Sequence, residues 1–339
     1  MATIKDLAEM TGLSVATISK FLNGGNVRQK NREAIQKAIE ATNYKLNEHA
    51  RALKTNKSRT IGFVAPKFED VFAARLASEA SALLREHHYS LFVYETHNSR
   101  EGEEEAFDFF ASKNVDAVIA TVGDGDENEY RELFSRYNMP IVLFDRAFSE
   151  PICDTITINN EEAAYKAVRT LIDHGHRDIA IVRGAVGTYT SDQRFKGYRK
   201  ALAEAGIKMK PEFVIEVTYN SIDLYDNIRD LFSGRHRPTA LFAVNYFTTV
   251  SSLIVLNQLD IRIPEDISVF GFDNYEWMNV IKPQLWLMVQ PMRSMVREGI
   301  GLLLDQIRHP GERPFRSVVL EAEMKTGQSI ADLRTGFRA

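Results

Sequence analysis

One cysteine in 339 residues, Cys153, rules out an internal disulfide framework and fits a reducing compartment. No apolar run reaches the length of a membrane-spanning helix. The amino terminus has no basic stretch followed by an apolar core, as an export signal requires, so a cytoplasmic protein is expected. Catalytic signatures are missing as well: there is no G-x-x-x-x-G-K-[ST] phosphate loop and no G-x-S-x-G elbow. Gly123-Asp124-Gly125 lacks a third glycine and puts acids where a pyrophosphate would sit. His174-Gly175-His176 reads as a helix end, with Gly175 stopping the helix and the imidazoles complementing its dipole. No acid or cysteine is spaced to close a metal site around it. The sequence therefore predicts no metal, no cofactor and no enzymatic activity. No heptad pattern follows Leu320, so no tetramerising zipper is expected.

What remains is the composition of a globular protein, 44% hydrophobic and 26% charged, long enough for two or three domains. The net charge of −4 hides an asymmetry. Residues 1–59 hold 11 Lys/Arg and 5 Asp/Glu, a surplus of six; the rest holds 31 and 41, a deficit of ten. A small basic module on a larger acidic body suits a chain that meets phosphates at one end.

That basic end carries two short helical patterns around a tight turn. Thr3 is placed to cap the first helix, with Asp6 three residues on. Ile4, Leu7, Ala8 and Thr11 fall at helical spacing, and Gly12 accepts the positive φ of the turn. Ser14 caps the second helix, in which Ile18, Phe21 and Leu22 face inward. Val15, Ala16, Thr17, Ser19 and Lys20 are left outside, as in a recognition helix. An ordinary αα-corner is the plainer alternative. A third helix is predicted over 29–42. Residues 48–54, preceded by Asn47, are too few to hold a helix alone and would fold only against a partner.

From Thr60 onward strands and helices alternate. Buried-strand runs are Ile61–Ala65, Ser90–Tyr94, Ala117–Val122, Ile141–Phe144, Thr155–Ile158, Ile179–Val182, Phe213–Val217, Ala240–Val244 and Ile267–Phe270. Helical stretches lie near 72–87, 102–113, 127–137, 161–174, 191–205, 223–233 and 246–259. Two series of βα units predict two parallel sheets and two lobes, with a helix near 292–308 and a strand Ser317–Leu320 returning to complete them. Ligands of open parallel sheets sit beyond the carboxyl ends of strands. Asp145, Arg146, Asn245 and Asp273 fall there, and Arg194 lies on a helix following the loop after Ile179–Val182. Two acids, two arginines and an amide suit a sugar-like ligand, and the arginines admit an acidic or phosphorylated one. Phe72 and Tyr219 could stack on its ring or belong to the core.

The residues Ala2-Thr-Ile-Lys-Asp-Leu-Ala8, Gly12 through Ser19, Phe21-Leu-Asn23, Asn47 through Lys54, Pro140 through Arg146, His174 through Arg177 and Phe270-Gly-Phe-Asp273 resemble the lactose-repressor (LacI/GalR) family of bacterial transcription regulators. The resemblance implies an all-α helix-turn-helix DNA-binding domain (1–45), joined by a hinge helix and linker (46–59) to an α/β two-lobe periplasmic-binding-protein-like (type I) effector domain (60–339). Its amino lobe would hold 60–156 plus 290–315, and its carboxyl lobe 157–289 plus 316–332. Val15 and Ala16 would then meet base edges, Ser14, Thr17, Ser19, Asn23 and Asn31 would hold phosphates, and Lys20 would reach a base. Leu53 would wedge into the minor groove with Lys54 beside it. Phe72, Asp145, Arg146, Arg194, Tyr219, Asn245 and Asp273 would line the effector cleft. The partners implied are a near-palindromic operator duplex, a small-molecule effector (a sugar or sugar acid) and a second copy of the chain. The sequence departs from the family's usual pattern at Lys20, Leu46, Arg28-Gln-Lys30, Tyr246 and Trp286. Rival classes are an exported solute-binding protein and a sugar-modifying enzyme with a fused DNA-binding module.

Overall fold

The first three elements are short, and local chemistry sets their ends. The computed structural model describes residues 2–22, 25–44, 57–123, 125–217, 224–233, 236–273 and 279–335, in two compact units, Met1–Arg59 and Thr60–Ala339. In the first, α1 (Ile4–Thr11) starts at a capping box: Asp6 N–H donates to Thr3 Oγ1, and Thr3 N–H donates to the Asp6 carboxylate at 2.7 Å. It stops at Gly12, whose φ of +66° is left-handed. Next, α2 (Val15–Leu22) is capped by Ser14 Oγ, which accepts from Thr17 N–H at 3.2 Å. The longer α3 (Gln29–Thr42) has no side-chain cap at Arg28. Leu7, Ile18, Ile35 and Ala38 are its buried centre, with Ile4, Ala8, Phe21 and Leu22 packed around them. This is a small core, stabilising only marginally.

The second unit has two six-stranded sheets. In the amino lobe, β1 (Thr60–Ala65), α4 (Val71–Glu86), β2 (Ser90–Glu95), α5 (Arg100–Ser112), β3 (Ala117–Ala120), α6 (Glu127–Ser135), β4 (Ile141–Phe144) and β5 (Asp154–Ile158) follow in turn. The carboxyl lobe takes α7 (Asn160–Asp173), β6 (Ile179–Arg183), α8 (Tyr189–Glu204), β7 (Val214–Glu216), α9 (Leu224–Ser233), β8 (Ala240–Ala243), α10 (Tyr246–Gln258), β9 (Ser268–Phe272) and β10 (Trp286–Val289). The chain then crosses back as α11 (Met292–Arg308) and β11 (Ser317–Leu320), and returns once more as β12 (Glu323–Lys325).

The amino sheet runs β2-β1-β3-β4-β5-β11, every pair parallel. The carboxyl sheet runs β7-β6-β8-β9-β10-β12, with only β12 antiparallel. Two corrections follow. Ser317–Leu320 belongs to the amino lobe, not with 316–332 in the carboxyl lobe, because it pairs with β5 from Ser317–Thr155 to Leu320–Ile158. The carboxyl sheet also gains β10 and β12, which the sequence reading left out. The inner parallel strands β1, β3, β4, β5, β6, β8 and β9 are buried on both faces, as βα crossovers demand. Between α7 and α8 the contact is close enough that a Cβ on Gly197 would lie 2.1 Å from the Glu161 carbonyl.

Buried polar bonds fasten the crossovers. Asp154, fully buried at the start of β5, accepts from Arg313 Nη2 at 2.6 Å and Nη1 at 2.9 Å. Asp154 also takes Arg316 N–H at 2.7 Å, which fixes the approach to β11. The buried His176 ring bonds Thr239 Oγ1 at 2.9 Å and the Ala331 carbonyl at 3.1 Å, tying down the carboxyl-terminal segment. Burial holds its pKa down at about 4, the state suited to a neutral core imidazole. The expectation of a structural role at His174-Gly175-His176 agrees with these contacts.

Candidate nucleic-acid face and ligand cleft

On the first unit, the inward stripe of α2 leaves Ser14, Val15, Ala16 and Lys20 exposed, with Val15 42% accessible. Thr17 and Ser19 are half-buried beside them. The Thr17 hydroxyl lies 2.9 Å from Ser14 Oγ, so the two form one polar cluster at the start of the helix. Asn31 is half-buried in the first turn of α3. Small side chains at the positive end of a helix allow close approach of a polyanion's backbone. Asn23, Leu53, Lys54 and the hinge segment lie outside the described residues.

In the second unit, the strand ends of both lobes bring acids together. Asp70 caps α4, accepting Phe72 N–H at 2.9 Å. Asp145 follows β4 with φ +61°, its N–H donating to the Ile156 carbonyl at 2.9 Å. Asp273 follows β9 with φ +66° and accepts from Gln290 Nε2 at 3.0 Å. Aspartate tolerates this left-handed conformation better than most residues, so both carboxylates turn out of the sheet without undue strain. Arg194, 2% exposed on α8, faces them. Its Nε donates to Asn160 Oδ1 at 2.8 Å and its Nη1 to the Val244 carbonyl at 2.6 Å, with the guanidinium carbon 3.8 Å from the Phe272 ring centre.

Asp145 and Asp273 thus share one cation, with Asp70 close enough to raise Asp145 and to be raised by Asp273. Burial pushes Asp145 up to about 7; Arg194 pulls it down, while Asp273 and Asp70 raise it further. Burial lifts Asp70 to about 6, against the pull of the Phe72 N–H. Asp273 is raised too, again by burial first. Asp145 Oδ1 and Gln290 Oε1 are buried with no hydrogen-bond partner among the described residues. Unfilled acceptors at the wall of a cleft suit a ligand rich in hydroxyl donors.

The other expected cleft residues divide. Phe72 is almost fully buried, at the margin of the cleft beside Asp273. Asn245 caps α10, its Oδ1 taking Thr248 N–H at 2.8 Å. Arg146 points elsewhere: its guanidinium donates to the carbonyls of Gly123 and Gly125 and lies 4.8 Å from the Tyr130 ring centre. Backbone oxygens already occupy it, so it ties down Gly123 and Gly125. Tyr219 lies outside the described residues. Asp70 and Gln290 escaped the sequence reading. The first looked like a simple helix cap, and the second lies between a strand too short to register and Pro291. Among the described residues no group of acids, histidines or cysteines could hold a metal, and no helix is long and apolar enough to cross a membrane.

Comparison with known proteins agrees with both halves. Residues 3–47 match a family described as bacterial regulatory proteins, lacI family, and residues 168–330 match a periplasmic binding protein-like domain. The HTH-type transcriptional repressor PurR of Mannheimia succiniciproducens is 31% identical over 310 residues, covering 91% of this chain and 93% of that protein. The ribose operon repressor of Haemophilus influenzae is 29% identical over 335 residues, covering 98% and 100%. Among solved structures, a complex of the transcriptional regulator CelR with cellobiose superposes with a TM-score of 0.72 at 25% identity, over 97% of this chain and 100% of that one.

Proposed function

From the premise that this chain belongs to the lacI family of bacterial regulatory proteins, and so is a DNA-binding transcriptional regulator under allosteric control, we propose which residues read DNA and what the effector is. It acts as a cytoplasmic homodimeric repressor of carbohydrate-utilisation genes, and its cleft binds a sugar without turning it over. The observation that carries this is the acceptor-rich cleft: Asp145 and Asp273 beside Arg194, with Asp70 and Gln290 next to them. Hydroxyl groups donate to such acceptors, and the apolar side of Phe72 suits a pyranose face. The ribose named for one relative and the cellobiose bound by another structure support the same class.

DNA reading falls to α2. Val15 and Ala16 contact base edges, Ser14, Thr17, Ser19, Asn23 and Asn31 hold phosphates, and Lys20 reaches a base as a point charge. One eight-residue helix is too small to specify a site alone. Pairing through two-fold symmetry puts two such helices in major grooves about 34 Å apart. Exposed Phe92 and Val93 on the edge strand β2 leave apolar surface at that edge for a second copy to cover. Residues 48–54 form the conditional hinge, with Leu53 as minor-groove wedge and Lys54 beside it. Effector occupancy is coupled to that hinge by about 1–3 kcal/mol.

Selection of bound duplexes from a random pool by the full chain tests the reading. A near-palindromic consensus is expected, with Val15→Ser shifting the enriched bases within each half-site. A pool without any shared motif, or one indifferent to Val15→Ser, overturns it.

A further inference from the structure

We propose that the effector carries a protonated amine besides its hydroxyls, an amino sugar rather than a neutral or acidic one. Asp145 and Asp273 are the anions that receive the ammonium, and Asp70 is the charge behind them. This deepens the sugar reading above and rests on it for everything but the charge.

The sequence alone places two acids, two arginines and an amide in the cleft, a set with no net charge. The fold changes both counts. Arg146 leaves, because the carbonyls of Gly123 and Gly125 take its guanidinium. Asp70 joins, close enough to raise Asp145 and to be raised by Asp273. Two carboxylates then share one guanidinium, and a third stands beside them with none. Arg194 is itself partly spent, giving Nε to Asn160 and Nη1 to the Val244 carbonyl. Arg75, Arg293 and Lys325 border the same wall as Gln290, but none of them lowers any of the three acids. Arg293 and Lys325 are exposed, and solvent screens them from buried charge.

Unfilled hydrogen bonds point the same way. Gln290 is 8% exposed, and its Nε2 donates to Asp273 Oδ1 at 3.0 Å. Its buried Oε1 has no hydrogen-bond partner among the described residues, and neither has Asp145 Oδ1. Both atoms are acceptors, so what completes them is a donor. A hydroxyl donates once and leaves the surplus negative charge buried. An ammonium donates three times, accepts nothing and brings the opposing charge. Without such a cation the acids avoid the cost by keeping protons: burial lifts Asp145 to about 7 and Asp70 to about 6. Among the described residues no group of acids, histidines or cysteines is placed to hold a metal ion, so the acids suit an organic cation. An amino acid or sugar acid fits worse, since its own carboxylate would meet the same three acids.

Calorimetric titration of the full-length chain near neutral pH and at constant ionic strength tests this. The probes are D-glucosamine, D-galactosamine and D-mannosamine, each against its parent hexose and its N-acetyl derivative, with ethanolamine as an amine that is not a sugar. At least one amino sugar should bind about tenfold tighter than its parent, and acetylation, which removes the charge, should abolish the gain. Asp70→Asn and Asp145→Asn keep the side chain's shape, and asparagine caps a helix as well as aspartate does. Each should cut the ratio of amino sugar to hexose affinity about fivefold. Parents that bind as tightly as their amines, or a ratio that neither variant moves, overturn the ammonium and leave the sugar reading standing. A response to ethanolamine but to no sugar would instead count against the sugar reading and keep the cation site. Silence from every probe overturns the proposal.

Discussion

Replacing Asp145 by asparagine should make the protein more stable and a worse sensor. The side chain keeps its shape, and asparagine accepts the φ of +61° as readily as aspartate. What disappears is a carboxylate whose pKa is pushed up to about 7 by burial, near two other acids. The sign follows from linkage. An unfolded aspartate loses its proton near pH 4, whereas the native one holds it to about 7, so between those values the folded state binds more protons and stability falls as pH rises. A shift of about three units corresponds to about 4 kcal/mol at most, and relaxation of the cleft halves it to about 2 kcal/mol. For a unit of this size that is a rise in Tm of about 4 °C near pH 8, shrinking to about 1 °C near pH 5 where the carboxyl is already protonated in the native state. Scanning calorimetry of both proteins at the two pH values measures the increment, and effector titration measures the accompanying loss of affinity. A variant no more stable than the parent near pH 8, or an increment independent of pH, would refute the claim that Asp145 is held against its preference.

The same carboxylate sets the pH dependence of effector binding. Hydroxyl donors favour its ionised form, so binding releases a proton and affinity should tighten about tenfold from near pH 6 to near pH 8, as calorimetric titration would reveal. A flat profile would remove Asp145 from the contact set. Gly197→Ala should cost about 1–3 kcal/mol, read as a fall in Tm, because the new methyl collides with the Glu161 carbonyl. Arg313→Ala should cost about 3–5 kcal/mol by leaving Asp154 charged and buried; a smaller loss in denaturant unfolding would mean that Gln306 and the Arg316 N–H suffice. Leu53→Ala should weaken operator binding in fluorescence anisotropy at fixed salt and leave effector affinity nearly unchanged; undiminished operator affinity contradicts the wedge.

Local pattern was enough to find the elements that bury their own apolar residues. The runs at Ile61–Ala65 and Ala240–Val244 could hardly be anything but buried strands, and Thr3, Gly12 and Ser14 mark helix ends by chemistry that operates within four residues. β12 was silent because Glu-Met-Lys carries no apolar alternation, and pairing with β10 alone makes it a strand. The lobe of Ser317–Leu320 was misjudged since nothing in four residues says which sheet they join; Arg313 and Asp154, 159 positions apart, decide that. In the cleft, Asp145, Arg194 and Asp273 were legible as polar residues at strand ends or on the following helix. Arg146 was not, because its capture by the Gly123 and Gly125 carbonyls depends on the fold of a separate loop. Asp70 and Gln290 each had a sufficient humbler explanation in sequence.

Each lobe is assembled from pieces far apart in the chain, and three stretches of backbone, after β5, after β10 and after β11, pass between them. No single swivel exists. Three separate straps restrain twisting of one lobe against the other more than a single connection would. A cut in one strap would leave both halves attached, and no contiguous fragment could yield either lobe alone.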